Sequence, residues 1–271
     1  MGKFEQELKK GIDKRDIPLE EVEKVLGRRY LEAFRMVERD LEKLYSTLGH
    51  EMTLAQARQS GRLQKLLKEL KANYTKVTKQ SITSTIENSI DAYNASYLNF
   101  SSAVESVGTA IGAVNKTAVL KSVMNAKSSY NLIKTFNKNI KIELARINGA
   151  ITRGIATGEG YAKTAEKLKG AFNGGFSDAV RVVRTEEARV WTEAHLSAYD
   201  EAKKAGLNVA NFWLSATDER TRESHLALDG VQEDENGLFH IDGDSAPGPG
   251  LFDDVSNNVN CRCALDTRLL D

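Results

Sequence analysis

Apolar residues recur at three- and four-residue steps over long stretches of the first half of the chain. Leu19, Val22, Leu26, Tyr30, Val37, Leu41, Leu44 and Leu48 mark one stripe. That spacing lines apolar side chains along one helix face and predicts a helix over 19–48. Pro18 stands at its start, where a proline's missing N–H is tolerated, and Gly49 suits its end. A second stripe, over 62–100, runs through Leu63, Leu66, Leu70, Tyr74 and Val77 and is re-phased at Ile82, Ile86, Ile90, Tyr93 and Tyr97. A third, over 121–147, uses Val123, Ala126, Tyr130, Ile133, Phe136, Ile140, Leu144 and Ile147. No proline falls between Pro18 and Pro247, so long helices are permitted. Gly108 and Gly112 mark a loop or weak helix. Residues 1–148 read as an elongated helical region whose stripes pack on other helices, within the chain or on a partner.

The punctuation changes at Gly149, Gly154, Gly158 and Gly160. A short helix is predicted over 159–170, ending at Gly170. Phe172-Asn173-Gly174-Gly175 reads as a loop, after which Ser177 or Asp178 caps a helix to about Lys204, with Gly206 beyond it. Asn211–Ser215 reads as a strand. Thr217 or Asp218 caps a short helix through Leu228, stopped by Asp229-Gly230. Val231-Gln232 and Leu238–Ile241 flank a turn at Asn236-Gly237 and read as a hairpin. A polar loop, Asp242–Asn260, holds Pro247-Gly248-Pro249-Gly250, and Cys261–Leu265 is the last strand. The fold class is therefore α+β and predominantly helical: long N-terminal helices, then a compact domain over 149–271 with a small, three-stranded sheet against two or three helices.

Composition adds bounds. The chain has 271 residues, 41% of them apolar and 28% charged, which excludes a collagen-like or wholly disordered chain. No apolar run approaches the roughly 20 residues that span a bilayer, and Met1–Arg15 lacks the apolar core of a secretory signal. The 38 basic and 38 acidic residues cancel, which argues against nucleic-acid binding through overall charge. The cancellation hides an asymmetry. Residues 62–146 hold 13 Lys and Arg against 5 acidic residues, whereas 218–254 hold 11 acidic residues against Arg220 and Arg222. Either bias can be a solvated face. Read as function, Lys65, Lys68, Lys71, Lys76 and Lys79 are candidate contacts for DNA or an acidic partner.

Three groups of residues carry candidate chemistry. Ala179, Val183, Glu186, Val190 and Ala194 share one helix face, which sets a carboxylate on an apolar stripe. A buried carboxylate needs a partner, and Arg222 or Arg262 could supply it. The second group runs from Trp213 through Asp218, Arg220, Arg222 and His225 to Asp229-Gly230 as a strand–helix–turn unit. The third is Cys261-Arg262-Cys263, whose thiols face one side of a strand. Two such cysteines are most simply small buried residues. The alternative is zinc held by His225, Cys261 and Cys263, with His240 as a further candidate ligand, although the spacing matches no zinc finger. Walker A, His-Glu-x-x-His, Gly-x-Ser-x-Gly and zinc-deaminase signatures are absent.

Taken in order, Arg184-Thr185-Glu186 with Arg189, then Trp213 and Asp218-x-Arg220-Thr221-Arg222-x-x-His225-x-x-Leu228-Asp229-Gly230, then Asn260-Cys261-Arg262-Cys263, resemble the phage Mu F-like minor head protein family over about residues 150–268. Departures are Val259 where the family often has proline, the Thr221 neighbourhood where a cysteine is common, and Thr192 where asparagine is common. The resemblance implies a virion protein of a phage head, assembled in the host cytoplasm and acting in head morphogenesis without enzymatic activity. Its implied partners are the portal protein, capsid or scaffolding protein and phage DNA, with oligomeric assembly among the expectations and no resident cofactor. It also implies that the motif residues are structural. The motif is followed directly by Asp271, so no appended toxin domain is expected. Two other readings stay open: a DNA-binding module using the basic helices, and a zinc-dependent hydrolase or nuclease centred on Glu186, His225, Cys261 and Cys263.

Overall fold

A computed structural model describes residues 1–124 and 131–270. Ala126 and Tyr130 of the third stripe lie outside those residues. The helices are α1 (Lys3–Lys14), α2 (Asp16–Leu48), α3 (Leu54–Gln59), α4 (Arg62–Glu105), α5 (Lys116–Val123), α6 (Leu132–Ala156) and α7 (Tyr161–Lys204). Then follow β1 (Val209–Leu214), α8 (Glu223–Leu226), β2 (Phe239–Ile241), β3 (Asp244–Ala246), α9 (Val255–Asn258) and β4 (Ala264–Leu269). The α+β, predominantly helical class is as the pattern predicts, with long helices first and a small antiparallel region last. Among the described residues no helix is long and apolar enough to cross a membrane.

Two compact units draw on interleaved stretches of chain. One comprises Met1–Glu21, Thr85–Asn131 and Arg181–Asp271; the other comprises Val22–Ser84 and Leu132–Val180. The change of composition at residue 148 is thus not the border of either unit. The helices α4 and α7 each give one half to each unit. This accounts for the re-phased stripe at Ile82: the apolar face of α4 serves one core before Thr85 and another after it.

The all-helical unit packs Leu26, Tyr30, Leu41, Leu63, Leu70, Tyr74, Phe136, Ile147 and Phe172 as buried side chains. Tyr74 stands edge-on to Tyr30 at 5.9 Å and to Phe172 at 5.6 Å, the favoured arrangement of ring quadrupoles. Phe172–Gly175 is no loop: α7 runs unbroken through it. Packing decides this against local propensity. A Cβ at Gly175 would overlap the Tyr74 hydroxyl and lie 3.3 Å from both Glu143 Cγ and Tyr30 Cε1. The glycine therefore serves close approach of helices and not a turn.

The other unit buries Phe4, Leu8, Tyr97, Phe100, Val104, Trp191, Ala194 and Ala198 in its main core. A second cluster gathers Trp213, Phe239, Ile241, Phe252, Cys261, Cys263 and Leu265. Its strands form two separate two-stranded antiparallel sheets, not one of three. β1 pairs with β4 from Val209↔Leu269 to Leu214↔Ala264, and β2 pairs with β3 from Phe239↔Ala246 to Ile241↔Asp244. The expected hairpin between Val231-Gln232 and Leu238–Ile241 is replaced by this β2–β3 pair. Its turn is Asp242-Gly243, with φ of 47° and 82°, the backbone that a two-residue primed turn demands. Gln232 contributes only a bridge to Phe212. The helix expected from Thr217 or Asp218 to Leu228 shrinks to Glu223–Leu226, with Arg222 at its N-cap.

Candidate functional site

The three sequence motifs converge within one unit. Thr185, Glu186, Glu187 and Arg189 lie buried in the middle of α7. Arg189 Nη2 donates to Glu186 Oε1 at 2.5 Å and to the Ser122 carbonyl at 2.8 Å, and Nη1 lies 2.7 Å from Glu193 Oε1. The partner of Glu186 is therefore its own i+3 neighbour. It is neither Arg222, which donates to the Val259 carbonyl at 2.6 Å, nor Arg262, which forms a bidentate pair with Asp218. Burial pushes the Glu186 carboxyl up, and one guanidinium shared with Glu193 offsets this only in part. Arg184, on the same helix, is half-buried.

The next residue makes a second buried ion pair, which no pattern in the sequence marks. Glu187 Oε1 lies 3.9 Å from Arg15 Nε, and burial raises its carboxyl to about 7. Arg15 also donates from Nη1 to the Cys263 carbonyl and from Nη2 to the Arg262 carbonyl, both at 3.1 Å. The only signal in the sequence was an arginine in a charged N-terminal run.

The Asn258–Cys263 segment is clamped from several sides. Asn258 accepts from Phe252 N at 3.0 Å and donates to the Phe252 carbonyl at 2.6 Å. Asn260, with φ of 55°, donates its N–H to Thr185 Oγ1 at 3.1 Å. Asparagine tolerates that left-handed backbone better than most residues. Pro247-Gly248-Pro249-Gly250 lies against α7: a Cβ on Gly248 would come 2.7 Å from Thr192 Cγ2, and one on Gly250 would meet the Arg189 backbone at 3.2 Å. The glycines of that loop are thus a packing requirement.

The middle block is threaded onto the same frame. Trp213 exchanges backbone bonds with Gly230 and Val231 at 2.8 Å, and Gly230 takes φ of 74°. Asp229 Oδ1 accepts from Ser215 N at 2.8 Å. Asp218 accepts from Arg220 N at 3.0 Å, and Arg262 holds its carboxyl far below the usual range. Thr217, directly before Asp218, has φ of 50°, a strained backbone for a β-branched residue.

At the centre, His225 Nδ1 stands 3.5 Å from Cys261 Sγ and 3.5 Å from Cys263 Sγ. Exposure of the three is 1%, 3% and 2%. The rings of Trp213 and Phe252 wall the imidazole at 5.4 and 6.4 Å. A hydrogen bond from Cys261 and contact with His225 lower the Cys263 thiol, while Cys261 is pushed up. The cysteines lie just ahead of β4 and not within it, yet both thiols face the imidazole. His240 is not part of the group; it is exposed and pairs with Asp234 at 2.9 Å.

A further network joins α7 to the β1–β4 sheet. His195 Nε2 meets Thr267 Oγ1 at 2.7 Å and Asn211 Oδ1 at 3.2 Å, and burial lowers the imidazole to about 4. Lys65, Lys68, Lys71, Lys76 and Lys79 belong to the other unit, where all five are exposed on α4.

Residues 145–266 match the family model of Phage Mu protein F like protein. The chain is 29% identical over 252 residues to minor head protein GP7 of Bacillus phage SPP1, covering 90% of this chain and 80% of that protein. It is 31% identical over 160 residues to an NAD(+)-arginine ADP-ribosyltransferase, EFV, of Enterococcus faecalis, covering 59% of this chain but only 33% of that protein. No solved structure matches the chain significantly.

Proposed function

Residues 145–266 belong to the phage Mu protein F-like family, and from that premise we propose that the chain is a minor head protein of a tailed phage acting in head morphogenesis. The observation that carries this is similarity to a minor head protein along nine tenths of the chain, helical half included. The role is assembly and not catalysis. The charged motif residues are spent on one another and on backbone carbonyls: Arg189 on Glu186, Glu193 and Ser122, Arg222 on Val259, Arg262 on Asp218. Such contacts hold a rigid docking module in shape. An open hollow of about 570 Å³ in this unit is lined by Tyr93, Lys121, Glu193, Asp200 and Pro247, among others, and not by Glu186, His225 or the cysteines. The similarity to the ADP-ribosyltransferase spans a third of that protein. A module common to an enzyme and a head protein accounts for it without an activity in this chain.

The partners are other head components, the portal protein first and capsid or scaffolding protein next, with the virion head as the location. Phage particles made without the chain should be defective in head assembly or infectivity. Purified chain should co-sediment with portal assembled in its presence. Normal infectious heads in the deletion mutant would overturn the reading.

The row on α4 supports a second contact, with packaged DNA. At 100° per residue Lys65, Lys68, Lys76 and Lys79 fall within roughly 80° of one helix face and extend about 21 Å along it. Leu63, Leu66, Leu70, Tyr74 and Val77 occupy the opposite, buried face. Such a row releases counterions from a phosphate backbone. Duplex affinity should fall steeply with salt. Replacing the four lysines by glutamine should flatten the log–log salt slope by up to about 4 × 0.9. A slope that does not change would remove DNA from the partners of this face.

A further inference from the structure

We propose that His225, Cys261 and Cys263 form a zinc site that staples α8 to the segment leading into β4. The inference rests on the geometry of these three residues and stands whether or not the chain assembles into heads.

The distances favour a shared cation. A tetrahedral zinc with sulfur at about 2.3 Å and nitrogen at 2.0–2.1 Å sets its S···N edges at about 3.6 Å. Both edges here are 3.5 Å, and both converge on one nitrogen, Nδ1. All three ligand atoms lie within 4.8 Å of one another. Hydrogen bonding alone serves this arrangement poorly. Nδ1 has one in-plane lone pair or one proton, so it satisfies one thiol and leaves the second on a weak sulfur–sulfur contact. A cation at the centre satisfies all three atoms. With Nδ1 on the cation the imidazole proton sits on Nε2, which is buried and has no hydrogen-bond partner among the described residues.

The frame holds the ligands in place before any ion arrives. Arg15 pins the carbonyls of Arg262 and Cys263. Arg222, at the N-cap of α8, pins Val259, and Thr185 pins Asn260. Trp213 stands edge-on to the imidazole. Such outer contacts orient ligands and raise affinity. Charge is balanced as well: two thiols lose their protons to solvent, and two thiolates neutralise the dication. Among the described residues no fourth His, Cys, Asp or Glu joins the group, so these three side chains are the protein ligands of the site. The closed loop spans 36 residues from His225 to Cys261, a stretch that contains the β2–β3 hairpin, α9 and the Pro-Gly-Pro-Gly loop. Closing it is the staple's contribution to the fold.

The test uses the full chain, expressed with zinc in the medium and purified without chelator. Elemental analysis should find one zinc per chain, and cobalt exchange should give thiolate-to-cobalt charge-transfer absorption. Chelation should lower Tm and speed reaction of the thiols with a thiol reagent, and added zinc should restore both. The double variant C261S/C263S should lose the zinc and the cobalt spectrum, and H225Q should lose the spectrum or weaken zinc retention at least tenfold. If a variant fails to fold, the native chain decides alone. The proposal is overturned if native protein carries no zinc and neither chelator nor added zinc moves its Tm. Zinc retained equally by C261S/C263S would place the ion elsewhere and overturn it too.

Discussion

At the scale of single residues, Glu186 shows what one position can reveal and what it cannot. A carboxylate among Ala179, Val183, Val190 and Ala194 announces burial and hence a partner. Which arginine answers depends on side-chain reach, and the neighbour on the same helix wins over arginines that are distant in sequence. Arg189 sits one turn away, and its guanidinium is shared by Glu186 and Glu193. Replacing Arg189 by methionine leaves Glu186 buried without its cation and strips the Ser122 carbonyl of a donor. We expect R189M to lose about 3–5 kcal/mol in urea unfolding. Removing both charges in E186M/R189M should recover most of that loss, because an apolar pair of similar volume avoids the desolvation of either ion. If the double variant is as unstable as the single one, the pair is needed for packing and not for charge balance. The His225–Cys261–Cys263 group was legible in kind but not in place. Three candidate ligands stand out in any reading, yet only the fold brings both thiols to one nitrogen and sends His240 to Asp234.

At the scale of elements, glycine separates what the sequence says from what it does. Gly170, Gly174 and Gly175 look like breakers around Phe172, and local propensity supports that reading. The helix α7 nevertheless continues through all three. The reason lies more than a hundred residues upstream, in Tyr74 and Tyr30, whose rings need a smooth helix surface at residue 175. No window around Phe172 contains that information. The two kinds of glycine respond oppositely to substitution. A Cβ at Gly170 meets nothing within 4 Å among the described residues, so G170A should stabilise the protein by about 1 kcal/mol, the usual helix gain of alanine over glycine. G175A must displace the buried Tyr74 hydroxyl and should cost about 1–3 kcal/mol. Paired Tm measurements on the two variants check the sign at each position, and a loss from G170A would contradict a continuous helix. The strands follow the same lesson. Asp242-Gly243 carries the hairpin, with left-handed backbone at both residues, inside a stretch whose polar composition predicts a loop.

At the scale of the whole molecule, helix content and order were legible because periodicity is a local property. The units were not, because each is assembled from distant stretches that only tertiary contact joins. The zero net charge behaves similarly: it is a sum over opposed regions and predicts no single surface. Titration couples such opposed terms into one observable. Glu187 is raised to about 7, so the folded state binds its proton more tightly than the unfolded chain. Its contribution is full below about pH 4.5 and is lost as pH rises through 7. His195 is lowered to about 4, so the unfolded chain binds that proton more tightly, and its contribution is full above about pH 6.5 and lost as pH falls through 4. Between pH 4.5 and 6.5 the two slopes oppose each other, each with a limit of about 1.4 kcal/mol per pH unit. Unfolding free energy from these two groups should therefore vary little across that window. E187Q removes one side of the balance while keeping the side chain's shape. Its stability should climb with pH from about 4 to 6.5, and the native chain should fall progressively below that trend up to pH 7. Urea unfolding of both proteins at half-unit pH steps reads the difference. Curves that stay parallel from pH 4.5 to 7 would show that Glu187 ionises in the fold as it does in the unfolded chain, with Arg15 compensating its burial in full.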